Sequence, residues 1–318
     1  MPARRPSGSG RAELIQLRSG PTLATALYLA LITALAKASA IPFLLFPELG
    51  ALGSVLFSDP AGSWARSPRL LVLTPVLTAI LGVGITRMIP YGPVSVVLIL
   101  LLSLLVIRAL RSPIVPAISA GMLPLALGIT SWQYPVTILI GTGGLALLAV
   151  LRSRLALGTI PHHRPALGHG PIPSPWLPLA IFVAGGLLLV QLLGSRLVLY
   201  PPLFVICWEM LAQPHHCPWQ ERPFAVLLVT GVAALAGSML VETLGVSPLA
   251  AFSAVLVTGL ALQLAQLTCP PAYGLALLPF VIPSPSMTYP LHTLVGTAWL
   301  LLVVKLHQNH TGWRSARE

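Results

Sequence analysis

Apolar runs broken by prolines, glycines and charged residues divide the chain into twelve segments, six in each half. Their lengths approach the roughly 20 residues that a helix needs to cross a bilayer. They lie near 23–41, 43–57, 70–88, 93–107, 113–129, 135–151, 176–194, 198–212, 223–241, 248–265, 270–283 and 288–306. The pattern predicts an all-α polytopic membrane protein of about twelve helical segments.

Four of these segments are shorter than a full crossing requires. They are 43–57 and 113–129 in the first half and 198–212 and 270–283 in the second, and each opens near a proline. At 1.5 Å per residue they do not span about 30 Å of hydrocarbon, and lipid cannot bond the free backbone groups at their ends. We therefore expect short or re-entrant helices that lie where the two halves meet.

The two halves repeat one another at a nearly fixed offset. It is 155 residues from Trp64 to Thr142 and 154 residues before Trp64, and we call positions aligned in this way equivalent. The markers are rare residues rather than leucines: Trp64 with Trp219, Gly82 with Gly237, Pro93 with Pro248, Tyr134 with Tyr289, and Phe46-Pro47 with Tyr200-Pro201. An even number of crossings in each copy gives two parallel repeats of the same orientation.

A stretch rich in proline, histidine and glycine separates the copies. The predicted organisation is an N-terminal tail at 1–20, a first transmembrane repeat at 21–151, a linker at 152–175, a second repeat at 176–306 and a C-terminal tail at 307–318. Such a chain is a fused pseudo-dimer, which leaves open that it acts as a monomer.

Composition and charge support a lipid environment. The chain is 56% hydrophobic and only 8% charged, whereas soluble domains carry about 25% charged residues. The net charge of +11 suggests nucleic acid at first, but the basic residues lie between apolar runs, as in the cytoplasmic loops of membrane proteins. With the N-terminus inside, 15 of the 18 basic residues are cytoplasmic. We expect an integral protein of a bacterial-type plasma membrane, with both termini cytoplasmic and no nucleic-acid partner.

Several stretches resemble a known family. Thr268–Pro279, with the sequence TCPPAYGLALLP, is similar to the signature segment of the HPP family of integral membrane proteins, named for a His-Pro-Pro triplet followed by small residues. Leu49–Phe57 and Ser67–Arg69 resemble that family's early helix and the loop after it. The family's histidine falls on Cys269, and only Pro116 remains of the triplet in the first copy. The resemblance implies membrane transport, with nitrite as the implied solute.

Small, polar and acidic residues of the short segments are candidates for a transport pathway. The N-terminus of a broken helix presents backbone N–H groups and partial positive charge to a small anion, and an acid inside the membrane is a functional candidate. The candidates are Glu48, Gly50, Gly53, Ser54, Pro116, Ser119, Glu209, Pro271, Tyr273 and Gly274. Small residues also allow close helix packing, and a charged Glu48 would repel an anion, so both interpretations stay open.

Three further charged residues suggest structural ion pairs. Lys37 lies near the outer end of the first segment and could neutralise Glu48. Arg87 and Glu242 are equivalent and could pair across the two halves. The alternative is that these side chains reach the water at the membrane surface.

No pattern predicts a metal, a cofactor or an active site. The histidines at 162, 163, 169, 215 and 216 lack the spacing of known metal motifs. We therefore expect a transporter or channel for a small polar solute, above all a small inorganic anion such as nitrite, and no enzyme. The alternatives are a membrane-embedded enzyme that acts on a lipid-linked substrate, with Glu209, His215, His216 and Glu221 as its candidate residues, or a noncatalytic membrane scaffold.

Overall fold

Twelve α-helices and no strands make up the described part of the chain. The computed structural model describes residues 8–155, 174–214, 217, 219–283 and 285–311, without the side chains of 8–19 and Pro42. The helices are α1 (Gly8–Ser39), α2 (Leu49–Ser58), α3 (Pro68–Met88), α4 (Pro93–Ala109), α5 (Ala117–Leu127), α6 (Gln133–Arg154), α7 (Trp176–Leu193), α8 (Pro201–Ala212), α9 (Pro223–Leu244), α10 (Pro248–Leu264), α11 (Pro271–Leu277) and α12 (Thr288–Thr311). Each helix overlaps one predicted segment, although α1 begins at Gly8, within the predicted tail at 1–20. The all-α polytopic architecture is confirmed. Residues 156–173 of the predicted linker lie outside the described residues.

Six helices are long and apolar enough to cross a membrane. They are Gly20–Ser39 of α1, α3, α6, α7, α9 and α12. Their outward faces are covered by apolar side chains such as Leu27, Leu147 and Leu228, each more than half exposed. Water would not tolerate so continuous an apolar exterior, whereas lipid does.

Basic residues at helix ends mark one face of the bundle. Arg152 at the end of α6 donates a hydrogen bond to the carbonyl of Phe57 at the end of α2, at 3.2 Å. Arg222, which precedes α9, donates to the carbonyl of Ala265 just after α10, at 2.8 Å. We call this side the arginine-rich face. The opposite face holds the other helix ends, where Arg87 in the last turn of α3 donates to the carbonyl of Thr130 after α5, at 3.0 Å.

The sequence repeat is reproduced in the contacts of the two halves. The hydroxyl of Tyr134 in α6 donates to the carbonyl of Ala120 in α5 at 3.0 Å. In the second half, the hydroxyl of Tyr289 in α12 donates to the carbonyl of Leu275 in α11 at 2.6 Å. Donors and acceptors are equivalent positions, so each tyrosine holds a short helix against a long one in the same way.

The halves meet through their short helices. α2 packs against α11, and α5 packs against α8, while α1 also packs along α10. This arrangement confirms the expectation that the shortened segments lie at the interface of the halves.

Candidate functional site

The short helices begin near the middle of the bundle rather than at its faces. Thr78, midway along α3, donates a hydrogen bond to the carbonyl of Ala117, the first residue of α5, at 2.7 Å. Leu49, the first residue of α2, packs against Gly141 in the middle third of α6. Since α2 ends at the arginine-rich face and its ten residues span about 15 Å, its start lies near half of a hydrocarbon thickness of about 30 Å.

The starts of α2, α8 and α11 come together at Gly274. A methyl group on Gly274 would lie 3.4 Å from Cγ of Pro202 in the first turn of α8 and 3.7 Å from Oε1 of Glu48, which precedes α2. Ser119 in the first turn of α5 also lies beside the Glu48 carboxyl group. Ser119 and Gly274 are equivalent, as are Glu48 and Pro202, so these four positions surround the pseudo-twofold axis between the halves.

Glu48 is the chemically distinctive residue of this site. It is 1% exposed, and its carboxyl oxygens make no hydrogen bond of ordinary length and angle, although the Ser119 hydroxyl lies beside them. Although it occupies the N-cap position of α2, its side chain makes no capping bond. Burying a carboxyl group without a well-formed hydrogen bond is costly, which makes Glu48 a candidate functional group.

Hydroxyl groups surround the Glu48 carboxyl group. The hydroxyl of Ser119 is buried and has no hydrogen-bond partner. Tyr134 and Tyr289 interact electrostatically with Glu48. The hydroxyl of Tyr200, whose ring packs 4.7 Å from the ring of Tyr289, is also without a partner. The hydroxyls of Tyr134 and Tyr289 already donate to backbone carbonyls, so the hydroxyls of Ser119 and Tyr200 are the ones that can donate to a small polar solute.

In the sequence, Tyr134, Tyr200 and Tyr289 serve only as markers of the repeat, and their place near the site was not predicted. Tyrosine counts as apolar in a hydropathy reading, although its hydroxyl is a hydrogen-bond donor. A signal was present, since Tyr134 and Tyr289 keep a polar aromatic residue at equivalent positions of two apolar helices.

One expectation about the helix starts needs correction. Backbone N–H groups there were expected to be free for an anion. In the structure the N–H of Leu49 donates to Phe46 at 3.0 Å, and the N–H of Ser119 donates to Pro116 at 3.0 Å. α8 and α11 start with prolines, which have no N–H group. The helix starts can therefore stabilise an anion through the partial positive charge of the helix dipole, but not through a set of free N–H donors.

The small residues of α2 are packing positions. A methyl group on Gly50 would lie 2.8 Å from Cβ of Tyr273, and one on Gly53 would lie 3.3 Å from Cγ2 of Thr25. Ser54 donates to the carbonyl of Ala51 within its own helix at 2.9 Å. Close packing, the alternative that the sequence left open, therefore accounts for Gly50, Gly53 and Ser54.

The remaining pathway candidates flank the site or lie apart from it. Pro116 and Pro271 are buried at the starts of α5 and α11, one turn from Ser119 and Gly274. Tyr273 is buried against α2. The structure thus brings Glu48, Ser119 and Gly274 together and supports them with these two prolines.

The predicted ion pairs are not formed. Lys37 is exposed, and Glu48 has no partner. Arg87 bonds to Thr130 and stacks on Trp132, 5.7 Å from the ring centroid, within its own half. Among the described residues, Glu242 has no ion pair, and it is exposed at the end of α9. The side chains of Lys37, Arg87 and Glu242 are all exposed near helix ends, where water can solvate a charge better than a buried pair does.

Glu209 belongs to a separate region. It lies in the last turn of α8 toward the arginine-rich face and interacts electrostatically with the thiols of Cys217 and Cys269. Burial raises the pKa of the Cys217 thiol, which disfavours the reactive thiolate. No group of three His, Cys, Asp or Glu side chains in the described residues could hold a metal ion. The histidines at 162, 163, 169, 215 and 216 lie outside those residues.

The chain matches no protein-family model, no curated protein and no solved structure. The HPP resemblance therefore depends on the sequence motifs alone.

Proposed function

We propose that the protein carries a small polar solute across the membrane, and that a small inorganic anion is the preferred class. The observation that supports this proposal best is the buried, unpartnered carboxyl group of Glu48 at the meeting point of the short helices. Acidic residues inside membranes are costly and are typical of solute and proton pathways. Broken helices that meet between two repeats at mid-depth are typical of transporter binding sites.

The helix ends favour an anion over a cation. α2, α5 and α8 each direct the positive end of a helix dipole toward the site, and each end stabilises negative charge by roughly 0.3–1 kcal/mol, or by up to about 2 kcal/mol when partly buried. The Ser119 hydroxyl lies beside the Glu48 carboxyl group, and the Tyr200 ring, whose hydroxyl has no partner, packs on Tyr289 in the same core. Together these groups form a polar, electropositive environment within an apolar bundle.

The charge of Glu48 then decides when an anion binds. Two negative charges 4 Å apart repel by roughly 4 kcal/mol at an effective dielectric constant of about 20, which is comparable to the attraction from all three helix ends. A charged Glu48 therefore excludes the anion, and a protonated Glu48 admits it. Each transport cycle would move a proton together with the anion.

Flux measurements test the proposal directly. Purified protein in liposomes is expected to pass nitrite, the solute that the HPP resemblance implies, faster than empty liposomes, which report the background leak of nitrous acid. Chloride, nitrate and formate serve as further solutes. Flux of none of these anions above the background would contradict the proposal.

A matched pair of variants tests the role of Glu48. Glu48→Gln keeps the shape of the side chain and removes its titration, so flux is expected to lose its dependence on pH between about 5 and 8. Glu242→Gln, which changes an exposed acid at the end of α9, is the control and should retain that dependence. Identical pH profiles for the two variants would exclude Glu48 as the coupling group.

A further inference from the structure

The two contacts between long helices of opposite halves differ, although the repeat makes them equivalent. α1 packs along α10, whereas α7 barely touches α4. In the first contact Thr22 lies against Gly259, where even a methyl group would collide with it. The equivalent residues of the second contact are Trp176 and Leu104. The Trp176 ring packs instead on Trp208 of its own half, with 5.7 Å between the ring centroids, and α7 lies apart from α4.

The separation leaves an apolar cleft of about 450 Å³ between α4 and α7. Val97 and Leu101 line one wall, and Trp176, Ala184 and Gln191 lie along the other. From Trp176 to Gln191 the cleft follows α7 for about 22 Å, which is longer than the hydrocarbon depth of one leaflet, about 15 Å.

Beyond Pro93 and Gln191, at one end of this cleft, lie a cation and an aromatic ring. At the opposite face the guanidinium of Arg196, just after α7, stacks over the ring of Tyr91, just before α4, at 4.6 Å from the ring centroid. Arg196 is exposed, and the hydroxyl of Tyr91 is buried without a hydrogen-bond partner. The equivalent positions at the α1–α10 contact are Pro42 and Val246, which offer neither charge nor hydroxyl.

We propose that the α4–α7 cleft binds one phospholipid from the leaflet at the opposite face. Its acyl chain lies along Val97, Leu101 and Ala184, and its phosphate lies at the exposed guanidinium of Arg196, which the Tyr91 ring holds at the end of the cleft. An apolar cleft with a cation at headgroup depth matches the two chemical parts of a phospholipid. A helix of a second copy would fill the apolar part but would leave the charge of Arg196 unmatched.

Native mass spectrometry of protein extracted from vesicles of phosphatidylglycerol tests this site. The wild-type chain is expected to retain one phosphatidylglycerol per chain. Ala184→Trp fills the cleft and is expected to abolish that retention. Ile181→Trp, on an exposed part of the same helix outside the cleft, is the control and should retain the lipid.

A second pair of variants keeps the test decisive if the tryptophan variant does not fold. Arg196→Gln removes the cation and is expected to weaken retention about fivefold, the effect of one basic residue near an anionic lipid surface. Arg87→Gln removes the arginine that stacks on Trp132 in the first half and should have no effect. Equal lipid retention by the wild type, Ala184→Trp and Arg196→Gln would overturn the proposal. A wild-type dimer that Ala184→Trp converts to a monomer would also overturn the proposal, since a second copy of the chain would then occupy the cleft. Neither outcome depends on anion flux.

Discussion

The starts of α2 and α8 occupy equivalent places on either side of the pseudo-twofold axis, yet their chemistry differs. The first has Phe46-Pro47-Glu48, and the second has Tyr200-Pro201-Pro202. Both lie in the core, and both third residues approach Gly274. A duplicated scaffold thus supplies symmetric helix ends, while one carboxyl group and one phenol make the centre asymmetric. The comparison indicates that a single titratable group, rather than a symmetric pair, serves the site.

Replacing Glu48 by an apolar residue, so that the start of α2 resembles the start of α8, is expected to have the largest effect. Glu48→Met removes a buried carboxyl group that has no partner, so the free energy of unfolding should rise by about 1–3 kcal/mol. The pH dependence of anion flux should be lost in the same variant, as in Glu48→Gln, because the titratable group is gone. Thermal unfolding in detergent and flux in liposomes measure the two effects. If Glu48→Met lowers stability, the carboxyl group is structural and the proposed role fails.

The sequence predicted most of this architecture because prolines and hydropathy act locally. The segments at 43–57 and 270–283 were expected to be longer than the helices that form. α2 starts only at Leu49, after Pro47, and α11 gives way to a 3₁₀ turn at Leu278–Phe280, where Pro279 lacks an N–H donor. Helix boundaries of this kind depend on single residues, so a hydropathy pattern predicts them only to within a few residues.

The central site could be predicted in part, and the ion pairs could not. Glu48 and Ser119 follow from the rule that polar residues inside a membrane are functional candidates. Equivalent residues meet only near the pseudo-twofold axis, however, and a sequence does not give the distance of a residue from that axis. Ser119 and Gly274 lie close enough to share Glu48 as a neighbour, whereas Arg87 and Glu242 lie at the surface.

The symmetric part of the scaffold predicts equal effects in the two halves. Methyl groups on Gly82 and Gly237 would collide with the carbonyl oxygens of Gly121 and Ala276, respectively. Gly82→Ala and Gly237→Ala should each lower the free energy of unfolding by about 1–3 kcal/mol, because α5 or α11 must shift. Gly84→Ala, at a helical position with open space, should be neutral or slightly stabilising. Thermal unfolding of the three variants is the measurement, and a large difference between Gly82→Ala and Gly237→Ala would contradict a common packing.

The smallest effect is expected at Tyr200, whose equivalent residue is Phe46, in contrast to Tyr134 and Tyr289, which are equivalent to each other. Tyr200→Phe makes the start of α8 resemble that of α2 and removes a hydroxyl without a hydrogen-bond partner. Stability should stay within about 0.5 kcal/mol of the wild type. Tyr134→Phe and Tyr289→Phe each remove a hydrogen bond to a short helix and should lower stability by about 1 kcal/mol. In the wild type, the Tyr200 hydroxyl makes no hydrogen bond within the protein and is available to a solute. Tyr200→Phe should therefore weaken the apparent affinity for the anion in flux assays while leaving the unfolding temperature unchanged. A loss of stability without a change in affinity would place that hydroxyl in the scaffold instead of the solute site.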